Sequence, residues 1–165
     1  MNDQQFEIRD SSIAGKGVFA RVPFIKGDHV AELTGREIDA DALEELVQEG
    51  TVAWDDPLQI APKRFVVLDD FSRSINHSGE PNLGVRGDGE LFALHEISAG
   101  EEITFDYSTA VGKESAVWHM VCRCGAKTCR KLVGNWETLP PDLLESYKKS
   151  GALTSHVLSE ILEHK

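Results

Sequence analysis

Two stretches decide how this chain reads: Ile75-Asn76-His77-Ser78-Gly79-Glu80-Pro81-Asn82, and then Gly100-Glu101-Glu102-Ile103-Thr104-Phe105-Asp106-Tyr107. The second is the last of a series of short apolar runs that begins at Phe6: FEI, GVFA, HVAEL, LQIA, RFVVL, LGV, ELFALHEI and EITFDY. Turn signals at Gly27-Asp28, Gly50, Gly87-Asp88-Gly89 and Ala99-Gly100 separate them. Runs of this length between Gly and Asp are strand signals, and the absence of strand-helix alternation argues against a parallel α/β sheet. The expectation is a mainly antiparallel, loop-rich β core. One helix interrupts it, with Asp39 placed to cap and Leu43, Leu46 and Val47 recurring on one face.

Outward toward the C-terminus the pattern changes. Pro140-Pro141-Asp142 opens a helix carrying Leu143, Leu144 and Tyr147 that stops at Ser150-Gly151. After Thr154, a plausible cap, Val157, Leu158, Ile161 and Leu162 form an apolar stripe expected to pack on the β core. The whole chain, 165 residues with 41% apolar and 27% charged side chains, has the size and composition of one globular domain. Its longest apolar runs, FVVL and LFAL, are far shorter than a membrane span, and the N-terminus has no secretory pattern. The expected location is cytoplasmic, or nuclear in a eukaryotic source. Twenty-eight acidic against 17 basic residues give a net charge of −11, which repels a phosphate backbone and attracts a basic partner. No direct nucleic acid and no membrane are expected as partners, and the oligomeric state is left open.

A glycine turn, Gly15-Lys16-Gly17, precedes the two deciding stretches, and Cys122, Cys124 and Cys129 follow them as Cys-x-Cys-x4-Cys. Each element alone is weak. Gly-x-Gly is usually a tight turn, Pro81-Asn82 suits a turn, and Asn-His-Ser is formally a glycosylation acceptor only in a secreted chain. Three reduced thiols within eight residues suit a metal better than a disulfide framework. The fixed order of all four elements is much more specific.

In that order the chain resembles the SET-domain protein-lysine N-methyltransferases with a post-SET cysteine segment. GKGVFARVPFIKGD, RSINHSGEPN, GEEITFDY and CRCGAKTCRKLVG match successive family motifs over roughly residues 6 to 136. The resemblance implies a β-clip-like fold of short, pseudoknotted sheets in which the Asn-His segment threads beside the FDY strand. It divides the chain into a SET domain over 1–120 with an acidic insert near 36–64, a post-SET segment over 121–137 and a helical extension over 138–165.

It also implies S-adenosylmethionine as methyl donor and a lysine-containing basic protein or peptide as substrate. By resemblance Tyr107 and Phe105 are the catalytic pair, while Lys16, Gly17, Val18, Asn76, His77, Tyr107 and Trp136 bind the cofactor. Trp136 has an alternative, packing under the C-terminal helices. The chemistry suits these residue types. Stripping the proton from a lysine at pH 7 costs about 4.6 kcal/mol from a reference pKa near 10.4, and an apolar channel lowers that cost. A phenol and backbone carbonyls orient a methyl group through weak C–H···O contacts. Phe105 leaves more room than a tyrosine would, so more than one methyl is expected to fit.

Three positions depart from the family pattern. Gly79 stands where the usual fourth zinc ligand is a cysteine, so Cys122, Cys124 and Cys129 either hold zinc with another residue or water, or are bystanders. Leu33 replaces a tyrosine that often helps hold the target amine, and Ser74 replaces an aromatic, implying looser packing there. An idle SET-like module that binds a basic partner, or a small zinc-dependent adaptor, are the alternative readings. Residues 28 to 56 hold ten acidic side chains and one basic one, Arg36, which reads either as one wall of a groove for a basic tail or as a solvated face.

Overall fold

The computed structural model describes residues 4–53, 56–113 and 118–163. Strands β1 (Phe6–Asp10) and β2 (Lys16–Ala20) form an antiparallel hairpin, with Phe6 opposite Ala20. After β3 (His29–Glu32) come β4 (Gly35–Asp39), α1 (Ala40–Gln48), β5 (Leu58–Ala61) and β6 (Arg64–Leu68), and β6 is the middle strand of an antiparallel β4-β6-β5 sheet. Asp39 caps α1 as expected, its carboxylate accepting from the Ala42 N–H at 2.9 Å, and Leu43 is the buried residue of that face. Strand β4 has no periodic apolar signal because it is a largely exposed edge strand. Backbone pairing to β6 defines it, and a Cβ on Gly35 would collide with the Val67 carbonyl.

A single turn, α2 (Asp70–Arg73), leads into β7 (Asn76–His77). Then β8 (Leu83–Arg86), β9 (Glu90–Ala93) and β10 (Thr104–Phe105) complete a five-stranded sheet in the order β3-β9-β8-β10-β7. The strand pairings are mainly antiparallel, as expected, and β10 is the exception. Strand β10 runs parallel to both neighbours, with Phe105 opposite His77 on one side and Leu83 on the other. Parallel neighbours need a crossover rather than a hairpin, so no local turn signal announces them. The Asn-His segment does lie beside the FDY strand.

Strands β11 (Met120–Val121) and β12 (Leu132–Val133) form a small ribbon around the cysteine segment, and α3 (Pro141–Ser150) and α4 (Ser155–Glu163) close the chain. Helix α3 starts at Pro141 and stops at Gly151, whose φ of 70° is the left-handed conformation that glycine supplies. Two apolar clusters result. The main one includes Val18, Val85, Leu91, Ile97 and Ile103, and the second joins Phe92 of β9 to Trp136, Leu139, Tyr147, Leu153, Val157 and Ile161. The α4 stripe is therefore split: Val157 and Ile161 are packed, while Leu158 and Leu162 remain 41% and 59% exposed. Among the described residues no helix is long and apolar enough to cross a membrane.

Candidate active site

Strand β10 ends at Phe105, Asp106 caps a single 3-10 turn over Tyr107–Thr109, and the side chains part at this junction. Phe105 and Tyr107 line a cavity of about 350 Å³, whereas Asp106 is buried in the protein. The two rings lie 4.8 Å apart, and Leu33, Leu58, Phe65, Leu68 and Trp118 supply much of the remaining apolar wall. Leu33 thus occupies the cavity at the position where the resemblance has a tyrosine. The Tyr107 hydroxyl donates to the Ile75 carbonyl at 2.7 Å, which fixes the phenol against the residue before β7. Burial, with the charge of Glu102, raises the phenol well above its ordinary pKa, so it stays protonated. At the rim, Arg73 pairs with Asp56 at 2.9 Å.

The side chains of Asn76 and His77 bond to neighbouring segments, mostly to their backbone. The Asn76 amide donates to the carbonyls of Ala14 (3.2 Å) and Lys16 (2.9 Å) and to the Glu102 carboxylate (2.7 Å), tying the glycine turn to β7. Nδ1 of His77 accepts the Tyr107 N–H at 3.2 Å, so in the neutral ring the proton sits on Nε2. Burial drives the His77 pKa down to about 4, with Asp106 opposing and Arg130 adding to the effect. The Val18 side chain is fully buried in the main cluster, and the exposed Lys16 ammonium pairs with Asp10 at 2.6 Å. Gly17 is required by an internal neighbour: a Cβ would lie 2.7 Å from Cδ of Glu102 and 2.9 Å from Cβ of Ser11.

Sequence reasoning missed Asp106. Its carboxylate, 0% exposed, accepts two bonds from Arg130 at 2.7 Å each, one from the Tyr147 hydroxyl at 3.0 Å and one from the Ser108 N–H at 3.1 Å. It joins the turn that begins at Tyr107 to the segment after Cys129 and to α3. An acid between two aromatic residues, and an arginine just after the last cysteine, were the available signals. Trp118 of the cavity wall was also unanticipated.

Trp136 is placed by the structure in the second apolar cluster, with its indole N–H donating to Glu160 at 2.6 Å, and it does not line the Tyr107 cavity. The ring thus packs against residues of α3 and α4, in agreement with the alternative reading of this residue.

The three thiols converge, with Sγ atoms of Cys122, Cys124 and Cys129 all within 4.8 Å of one another. Gly79 lies against them. Its N–H donates to the Cys124 sulfur at 3.4 Å, and a Cβ there would lie 3.2 Å from the Cys129 Cα. Burial pushes the Cys122 thiol up to about 12, helped by its two thiol neighbours. Cys124 is also raised by burial, but the N–H groups of Gly79 and Ala126 and the adjacent thiols outweigh it and bring it to about 7.

Comparison with known proteins places these features in context. The SET-domain family model matches residues 15–108. The histone-lysine N-methyltransferase ATX2 of Arabidopsis thaliana is 33% identical over 144 residues, 77% of this chain but 13% of that protein. Histone-lysine N-methyltransferase 2B of Homo sapiens is 32% identical over 138 residues, 74% of this chain and 5% of the relative. Histone-lysine N-methyltransferase Su(var)3-9 of Drosophila melanogaster is 30% identical over 147 residues, 73% and 23% of the two chains. The chain spans less than a quarter of each of these three relatives. More than half of it is matched, including both stretches that cross at β7 and β10, and the chain belongs to the SET-domain family.

Proposed function

We propose that the chain is an S-adenosylmethionine-dependent protein-lysine N-methyltransferase acting on a basic protein such as a histone or histone-like protein. The observation that carries this reading is the apolar cavity into which Phe105 and the pinned phenol of Tyr107 project. The names of the relatives, all histone-lysine methyltransferases, support the same substrate class. Such a substrate puts the chain in the nucleus of a eukaryotic cell and in the cytoplasm of a cell without one.

The cavity wall of Leu33, Leu58, Phe65 and Phe105 excludes water from a lysine side chain, favouring its neutral form, and the aromatic rings hold its apolar stem. Tyr107 stays a protonated phenol, and its oxygen, fixed by the bond to Ile75, keeps a lone pair for orienting a C–H group. The Asn76 bonds tie the glycine turn to β7, so Lys16, Gly17 and Val18 lie next to Asn76 and His77, the residues to which this reading gives the donor. When bound, S-adenosylmethionine supplies an electrophilic methyl group. The thiols of Cys122, Cys124 and Cys129 suit one zinc ion as a soft donor set that leaves the position at Gly79 to a ligand other than a cysteine.

Mass spectrometry of core histones and ribosomal proteins after incubation with isotope-labelled S-adenosylmethionine tests the reading. Label on lysine side chains is the expected result. Donor binding with no label on any lysine would instead make the chain a binding module for basic proteins.

A further inference from the structure

A second cavity of about 600 Å³ shares no lining residue with the Tyr107 cavity. Phe6, Val30, Ala31 and Phe71 make its apolar floor, with Phe6 and Phe71 packed edge to face at 5.3 Å. The carboxylates of Glu32, Asp69 and Asp70 lie along its rim, and His29 is its only basic lining residue among the described residues. That imidazole is already flanked by acids, Glu90 at 3.5 Å and Glu32 at 3.9 Å.

The floor and the rim ask for different things from an occupant. A buried apolar floor is covered best by methylene or aliphatic groups, whereas three carboxylates on a chain of net charge −11 require cations. Lysine and arginine meet both demands in one side chain, an apolar stem ending in a charge. A second copy of this acidic chain does not. The wall is also rigid where a ligand would press on it. Asp69 caps α2 by accepting from the Ser72 N–H at 2.8 Å, and it accepts the Thr34 hydroxyl at 2.7 Å. The Thr34 N–H in turn donates to the Ser72 hydroxyl at 2.9 Å. Those bonds satisfy much of the Asp69 carboxylate, whereas Glu32 and Asp70 are exposed.

We infer that this groove between β1, β3 and α2 is a docking site for a lysine- or arginine-bearing peptide segment, separate from the cavity that holds Tyr107. The inference stands on the groove alone and does not depend on methyl transfer.

Fluorescence anisotropy with a labelled Gly-Lys-Leu-Arg-Lys-Leu-Gly peptide at about 0.1 M salt tests it, alongside amide NMR of the whole chain. Amides of Val30, Ala31, Thr34, Asp70 and Phe71 should shift on titration. The Glu32→Gln/Asp70→Asn variant should bind the peptide about threefold to tenfold more weakly, because two charges facing the ligand are lost. Glu145→Gln/Glu163→Gln, the same charge change on the C-terminal helices, should leave affinity within about twofold. The inference is overturned if no binding is detected, if shifts are confined to Ile75, Phe105 and Tyr107, or if the two double variants weaken binding equally. Equal weakening would mean that general acidity, and not the groove, attracts the peptide.

Discussion

Arg130 holds both carboxylate oxygens of Asp106 at 2.7 Å, one on each terminal nitrogen, inside the protein. The pair fastens the residue between Phe105 and Tyr107 to the segment that follows the last cysteine. Tyr147 adds a bond from α3 to the same carboxylate. The geometry of the cavity therefore depends on the C-terminal part of the chain through a charge pair as well as through apolar packing.

Removing one member leaves the other buried and uncompensated. Asp106→Asn should cost about 3–5 kcal/mol in urea denaturation, while Asp106→Leu/Arg130→Met should cost clearly less than the sum of its two single changes. Additive costs would show that the pair is not coupled.

His77 gives the fold a definite pH response. Its folded-state pKa of about 4 lies below the usual 6.5, so as pH falls the unfolded chain takes up this proton first. The stability linked to the ring is complete above about pH 6.5, declines from there to about pH 4, and levels off below. The decline should amount to a few kcal/mol, on the order set by a shift of more than two pH units. Denaturation at several pH values should show that the His77→Gln variant, whose amide oxygen still accepts the Tyr107 N–H, lacks this component of the slope.

Gly17→Ala should destabilise by about 1–3 kcal/mol, the usual range for overpacking, because Glu102 must move and give up bonds from Ser11 and Asn76. Thermal unfolding of the variant measures it, and an unchanged midpoint would mean that Glu102 relaxes freely.

Gly79→Cys adds a thiol beside the three already gathered, and its Cβ needs the Cys129 backbone to yield only a few tenths of an ångström. Cobalt titration should show thiolate charge-transfer absorption in both proteins, with at least about tenfold tighter binding in the variant, the scale of an added metal ligand.

Much of the fold was legible because its signals are local. Asp39, Pro141 and Gly151 bound their helices through capping chemistry, and short continuous apolar runs mark β2, β6 and β9. What escaped was non-local or hidden in composition. Two-residue strands such as β7 and β10 have no periodicity, and β4 is an exposed edge. In the site, Tyr107 and Phe105 could be picked out by motif. Asp106 could not, because a buried acid is recognisable only once its arginine, more than twenty residues away in sequence, is seen beside it. Trp136 kept two readings in the sequence because the cluster that takes up its ring is assembled from helices that come later in the chain.

Most direct is a comparison of the parent chain with Tyr107→Phe, with S-adenosylmethionine binding measured by calorimetry and methyl transfer to histones by mass spectrometry. Donor affinity should stay within about threefold while transfer falls at least about tenfold, the rate equivalent of one lost oriented contact. A variant that methylates as fast as the parent would contradict the role given to the phenol at the end of the FDY strand.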